Sequence, residues 1–160
     1  MISSAFIIYN DVNSPVSLEQ ISKHLKKSAP YTCSFTEWQG FTTTIPQLRI
    51  ETAPPLTIQI NSDPEYVPAE IEELAERAEG ILDAELIEVI KGCNSRLEIM
   101  SATPIRVEAE EKTISVYAET SLDPELQGVT AVLFLLAAYL GGYLYDCVNA
   151  RWMLQNESDV

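Results

Sequence analysis

The sequence predicts an α+β fold of two layers, in which a mostly antiparallel sheet carries three or four helices on one face. Three observations lead to this prediction. Short β-prone segments follow one another in runs instead of alternating strictly with helices, which is typical of α+β proteins. Several of the turns between them are too short for the helical crossovers that parallel strands require. The other segments have apolar residues at helical spacing.

The predicted strands are short runs of β-branched and aromatic residues bounded by turn formers. Pro46 and Pro54-Pro55 separate strands in the first half of the chain, where Trp38-Gln39-Gly40 is expected to form a loop or turn. Tyr143–Asp146 is expected to be a short strand or turn. The predicted strands are Ala5–Tyr9, Phe41–Ile45, Leu48–Glu51, Leu56–Ile60, Arg96–Met100, Ile105–Ala109 and Thr113–Ala118.

Helices are predicted where apolar spacing coincides with capping residues. The first begins after the N-cap Ser17, with Gln20 completing a capping box, and Pro30 closes it. Another has Pro68 in its first turn, a core face of Ile71, Leu74, Ala75 and Ala78, and an end at Gly80. Asp83 could cap a further helix that turns Leu86, Ile87 and Ile90 inward and ends near Gly92, although one long helix through Gly80 is the alternative. The last begins at Asp123-Pro124 and ends at Gly141.

Length and composition predict one domain. The 160 residues, 46% apolar and 21% charged, are enough to bury a core, and we assign residues 1–154 to a single domain and 155–160 to a polar tail. The three cysteines form no CxxC pair, and the N-terminus does not resemble a signal peptide. The expected location is therefore the cytoplasm.

The net charge of −14 limits the classes of partner. Nucleic acid is not an expected partner, because phosphate binding requires positive charge, and an anionic membrane surface would be repelled. The apolar stretch Val129–Tyr145 lacks the basic flanks of a membrane span and is interpreted as a buried core helix. A cationic protein would be attracted.

Motifs of the common enzyme classes are absent from the sequence, which contains no GxGxxG, GxxxxGK[ST], GxSxG or HExxH. His24 is the single histidine and lies among lysines, so histidine-based metal sites and most proton relays are excluded. No catalytic residue, metal ligand or cofactor is predicted.

The outstanding chemical feature is a concentration of acidic residues between positions 63 and 88, where Arg77 is the only basic residue. If Ile71 and Ala75 face the core, the helical period of 100° places several carboxylates on the opposite side. Like charges at these spacings are mutually destabilising, a cost that a basic partner would offset. The residues predicted to bind this partner are Glu72, Glu73, Glu76, Glu79 and Asp83.

A second candidate is a set of aromatic and polar residues that could line a pocket or an interface rim. The C-terminal members could equally seal the core at a corner of the fold. The set consists of Trp38, Tyr143, Tyr145, Asp146 and Trp152.

The chain loosely resembles small acidic bacterial immunity proteins of toxin–immunity pairs. The resemblance rests on size, on acidity, and on an apolar helix that leads to Gly-Gly-Tyr-Leu-Tyr-Asp at Gly141–Asp146 and then Trp152. It implies a non-enzymatic inhibitor that neutralises a basic toxin. The alternatives are a small-molecule-binding or enzymatic α+β domain with a pocket between sheet and helices, and a homodimer that pairs through the apolar helix.

Overall fold

The computed structural model describes residues 4–11, 16–28, 31–52, 55–101, 124–147 and 150–153. The predicted strands Ile105–Ala109 and Thr113–Ala118, the predicted cap Asp123 and the tail 155–160 lie outside these ranges. The α+β class is confirmed, because the described residues combine an antiparallel sheet with four helices.

The described strands form one seven-stranded sheet in the order β2-β3-β4-β5-β1-β6-β7. Every neighbouring pair in it is antiparallel. The strands are β1 (Ser4–Asn10), β2 (Cys33–Gln39), β3 (Thr44–Ile50), β4 (Leu56–Asn61), β5 (Ser95–Ser101), β6 (Tyr143–Asp146) and β7 (Arg151–Met153).

The middle of strand β1, from Phe6 to Tyr9, is entirely apolar and is buried on both faces. Its side chains alternate between the faces of the sheet. Phe6 and Ile8 enter one hydrophobic cluster, whereas Ile7 and Tyr9 enter another.

The first cluster packs the sheet against helices α1 (Leu18–Ser28) and α4 (Pro124–Leu140). The predicted capping box begins α1, since the Ser17 N–H donates to Oε1 of Gln20 at 2.9 Å and the Gln20 N–H donates to Oγ of Ser17 at 3.2 Å. Helix α4 ends as predicted before Gly141, whose φ of 61° is left-handed. Among the described helices, none has both the length and the apolar character that crossing a membrane requires.

The second cluster packs the other face of the sheet against α2 (Tyr66–Arg77) and α3 (Ala84–Lys91). The prediction of two helices separated near Gly80 is confirmed. The prediction that all helices pack on one face of the sheet was wrong, because α1 and α4 cover one face and α2 and α3 cover the other. The sheet is therefore the middle of three layers.

The hairpin of β2 and β3 corrects the predicted strands in this region. Trp38 and Gln39 belong to β2, not to a loop, and β3 runs straight through Pro46. Pro46 lies opposite Glu37. Hydrogen-bonded and non-hydrogen-bonded pairs alternate along an antiparallel ladder. Because the Gly40 N–H donates to the Thr43 carbonyl, the Glu37–Pro46 pair, three positions along, is a non-hydrogen-bonded one. A missing N–H is tolerated there.

Candidate functional site

The five carboxylates predicted to bind a partner are all exposed, on helix α2 and on the turn between α2 and α3. Two further exposed acids on α3 extend this region. We call the whole set the acidic surface, which consists of Glu72, Glu73, Glu76, Glu79, Asp83, Glu85 and Glu88.

Helix α2 is a fixed support for these carboxylates. Val67, Ile71 and Ala75 are buried beneath it at helical spacing. Its first turn is closed by Asp63, whose Oδ1 accepts hydrogen bonds from the N–H groups of Glu65 at 2.9 Å and Tyr66 at 3.4 Å. The carboxylate of Asp63 is thus engaged in the fold and does not belong to the acidic surface.

The turn between α2 and α3 is also ordered. The N–H groups of Ile81 and Leu82 both donate to the carbonyl of Ala78, at 2.9 and 3.0 Å. Gly80 has a φ of 83°, a backbone conformation that residues other than glycine rarely adopt. Asp83 occupies the N-cap position of α3 as predicted, without a capping hydrogen bond from its side chain. Its carboxylate is consequently exposed and unused by the helix.

Among the described residues, few positive charges lie near the acidic surface. Glu73 pairs with Arg77 at 2.7 Å and Glu88 with Lys91 at 3.6 Å, and these pairs are largely exposed. The other members form no ion pair with a cation among the described residues. The exposed lysines of α1, which are Lys23, Lys26 and Lys27, lie on the opposite face of the sheet. Negative charge is therefore concentrated on the α2–α3 side.

Two large aliphatic side chains are exposed within the acidic surface. Ile81, between Glu79 and Asp83 in sequence, is 73% exposed, and Val89 is 52% exposed. Val89 follows Glu85 by one helical turn and so shares its side of α3. Apolar groups bordered by charged residues are the usual arrangement of a protein–protein interface.

A buried ionic contact joins the inner side of α2 to the sheet. Oε1 of Glu70 lies 3.2 Å from Nε of Arg96 on β5 and also accepts a hydrogen bond from the hydroxyl of Tyr9 on β1. The Arg96 side chain is only 9% exposed. Its Nε has no aligned hydrogen-bond acceptor among the described residues, so the contact with Glu70 is electrostatic.

Polar side chains continue from this contact across the sheet. Glu98 lies 3.8 Å from Arg96 and accepts a hydrogen bond from Gln59 at 3.1 Å. Gln59 in turn accepts one from Gln47 at 2.8 Å. This row crosses β5, β4 and β3 on the face of the sheet that α2 covers.

Tyr9 and two cysteines in the cluster on this face of the sheet are held in their neutral forms. Burial and the adjacent Glu70 raise the pKa of Tyr9 far above its ordinary value. Burial also raises the pKa of the Cys93 and Cys147 thiols to about 11. A thiol is nucleophilic only as the thiolate, so neither cysteine is activated at neutral pH.

The second predicted set is not assembled into one rim. Trp38 lies on β2 and Tyr143 on β6, which are five strand spacings or about 24 Å apart. Tyr145, Asp146 and Trp152 are buried, and the rings of Tyr145 and Trp152 pack edge to face with centroids 4.9 Å apart. These residues belong to the core.

A groove of about 590 Å³ lies elsewhere, between the N-terminus of α1 and strands β2 to β4. Apolar walls come from both sides, and its charged residues are Glu19 and Glu37. No group of three or more histidine, cysteine or acidic side chains within the described ranges could hold a metal ion.

Glu70 and Arg96 are the residues of this region that sequence reasoning missed. Each has a signal in the sequence. Glu70 precedes Ile71 and therefore borders the buried face of α2, and Arg96 precedes the buried Leu97 in β5 and therefore points to the opposite face of the sheet. Their pairing could not be read from sequence, since it depends on how α2 lies across the sheet.

No protein-family model matches the chain, and no curated protein or solved structure matches it either.

Proposed function

We propose that this protein is a non-catalytic binding protein that holds a positively charged protein partner against the acidic surface, as an immunity-type inhibitor holds a toxin in the cytoplasm. The observation that carries the proposal is the exposure of Glu72, Glu76, Glu79 and Asp83 on ordered backbone with no described cation paired to them.

The energetics of α2 favour this use of the carboxylates. Glu72 and Glu76 are one turn apart, and a like-charge pair at that spacing destabilises a helix by about 0.2–0.5 kcal/mol. Lysine or arginine side chains of a partner would remove this repulsion. They would also be attracted over a longer range, which accelerates association and selects cationic partners.

Ile81 and Val89 give the proposed interface its specificity. Charge alone would retain any basic protein, whereas an exposed apolar side chain needs a matching pocket to lose its water. The partner should therefore present an apolar depression surrounded by lysine or arginine residues.

Affinity capture from an extract of the encoding organism tests this proposal. The immobilised protein is expected to retain a stoichiometric basic protein at low salt, and retention should fall as ionic strength rises. The double variant Glu72→Lys/Glu76→Lys should lose the partner, while its unfolding free energy stays within about 0.5 kcal/mol of the parent.

A charge-matched control separates the acidic surface from net charge. Asp11→Lys/Glu51→Lys changes the net charge equally but lies outside both the acidic surface and the groove beside α1, so it should retain the partner. Ile81→Ala should weaken capture about tenfold if this side chain is buried at the interface. Equal losses in both double variants, or no stoichiometric basic protein, would contradict the proposal.

A further inference from the structure

Among the described strands, β2 lies at an edge of the sheet and lacks the lysine and proline that commonly protect an edge from strand addition. It has seven residues in continuous register with β3, and residues 34–39 are all exposed. Proteins commonly protect such edges with lysine, proline, bulges or very short strands. The one charged residue of β2 is Glu37, which would repel an acidic strand but not a basic one, whereas β7, at the other edge of the described sheet, has three described residues.

The direction of its free backbone groups follows from the ladder. The Gly40 N–H donates to the Thr43 carbonyl at 2.8 Å, and the Glu51 N–H donates to the Thr32 carbonyl at 2.8 Å. Because antiparallel pairs alternate, even-numbered residues of β2 bond to β3. The N–H and C=O groups of Phe35 and Glu37 therefore point away from the sheet.

The side chains of these two residues line the groove beside α1. Phe35 is 57% exposed there, and Val16, Leu18, Pro46 and Ile60 provide further apolar surface. The charged residues of the groove are Glu37 and Glu19. The site therefore offers backbone bonding groups, apolar contact and negative charge along one line.

We propose that β2 accepts an extended segment of a partner protein as an additional antiparallel strand, and that this segment is basic. Every second residue of an added strand faces the groove. An apolar residue opposite Phe35 and a lysine or arginine opposite Glu37 complement the groove in polarity and charge. A second copy of this chain fits less well, because it would bring Glu37 and a net charge of −14 against the same charges.

This inference goes beyond the proposed function, because β2 and the groove are separate from the acidic surface. It requires only that an edge strand, an apolar groove and Glu37 act together. Either proposal can fail while the other stands.

A pair of synthetic peptides tests the charge requirement. The Lys peptide is acetyl-Thr-Lys-Thr-Val-Thr-Lys-Thr-amide, and the Glu peptide has glutamate in place of both lysines. Fluorescence anisotropy should show binding of the Lys peptide and affinity for the Glu peptide lower by about tenfold or more. Glu37→Lys should reverse this preference, whereas Glu72→Lys on the acidic surface should leave it unchanged.

Amide hydrogen exchange tests the strand addition itself. Binding of the Lys peptide should slow exchange at Phe35 and Glu37, whose N–H groups point outward. Exchange at Thr36 and Trp38 should stay unchanged, since their N–H groups already bond to β3. Gln39→Pro removes an outward N–H without altering charge or the ladder with β3, and should weaken the Lys peptide several-fold.

Four outcomes would overturn the inference. The Lys peptide could fail to bind at millimolar concentration, or it could bind without selective protection of Phe35 and Glu37. Its affinity could also depend on Glu72 instead of Glu37, which would place it on the acidic surface. Finally, sedimentation could reveal a dimer that Gln39→Pro dissociates, in which case a second copy occupies the edge.

Discussion

Replacing Glu70 with glutamine should destabilise the protein far more than the same replacement at Glu73 on the same helix. Glu70 faces Arg96, whose side chain is 9% exposed, whereas Glu73 and its partner Arg77 are 64% and 66% exposed. Loss of an exposed pair costs about 0–1 kcal/mol. Removing one partner of a fully buried pair costs about 3–5 kcal/mol, because the other charge stays buried.

The expected loss of stability for Glu70→Gln is smaller than that of a fully buried pair. Glu70 keeps 21% exposure, and Glu98, at 3.8 Å, still faces the guanidinium of Arg96 when Glu70 is neutral. We therefore expect Glu70→Gln to cost about 2–3 kcal/mol. Arg96→Leu should cost a similar amount, since the Glu70 carboxylate would then keep hydrogen-bond donors in Tyr9 and Tyr66 but lose the cation that faces it.

The double variant Glu70→Gln/Arg96→Leu should be less destabilised than the sum of the single variants. Neither member of the pair is then left charged and buried, so the coupling energy should be about 2 kcal/mol. Urea unfolding followed by circular dichroism gives the free energies, with Glu73→Gln as the matched exposed control. Additive costs, or equal costs for Glu70→Gln and Glu73→Gln, would refute the reasoning.

Three further predictions concern packing, pH and capping. Gly142→Ala should cost about 1–3 kcal/mol, because a Cβ there would lie 2.6 Å from Cγ2 of Ile8; thermal unfolding measures the loss. Stability should decrease as pH rises from 9 to 11, by about 1.4 kcal/mol per pH unit for each of the Cys93 and Cys147 thiols, since their pKa is about 11 when folded and 9.0 ordinarily. Ser17→Ala should cost about 1 kcal/mol in urea unfolding, because it opens the capping box of α1.

Each of these has a control. For the pH prediction, the protonated thiols stabilise the folded state, and this contribution is lost as the pH rises to their folded pKa. Cys147→Ala should therefore reduce the slope of unfolding free energy against pH above pH 9. An unchanged slope would contradict it. For the packing prediction, Gly141→Ala is the comparison, since nothing lies within 4 Å of a Cβ there; its cost should come from its φ of 61° alone. Wild-type stability of Ser17→Ala would show that the capping box contributes nothing.

The helices could be predicted because their signals are local. The apolar spacing of α2 and the capping box of α1 act within one or two turns, so the sequence itself contains them. The same spacing indicates that a helix has a core face but not which face of a sheet it covers. The uninterrupted apolar run Phe6–Tyr9 was the available signal, since a strand without polar alternation is buried on both faces.

The hairpin of β2 and β3 was harder to predict because its signals conflict. Gly40 and Pro46 ordinarily interrupt strands, and they led to a predicted loop at Trp38 and a strand break at Pro46. The structure keeps the ladder because Pro46 falls where no N–H is needed. Whether a proline breaks a strand thus depends on register, which a single sequence does not specify.

The exposed acids of α2 could be predicted from the helical period, but their support could not. A helical wheel places Glu72, Glu73 and Glu76 away from Ile71 and Ala75, as the structure confirms. Glu70 is also a glutamate of α2, but it lies inward, where its charge faces that of Arg96, a residue distant in the chain. Neighbouring glutamates therefore have opposite roles, and only the tertiary arrangement distinguishes them.

The division of charge between the two faces of the sheet has a consequence for any cationic partner. The exposed lysines in the second half of α1 would repel it from most of that face, whereas Glu19 and Glu37 in the groove at the start of α1, and the larger acidic surface on the other side, would attract it. At physiological ionic strength these fields extend about 8 Å, so they act before contact and favour one orientation of approach. The inward contact of Glu70 with Arg96 then matters for binding as well as stability, because it fixes α2, and with it the attracting carboxylates, against the sheet.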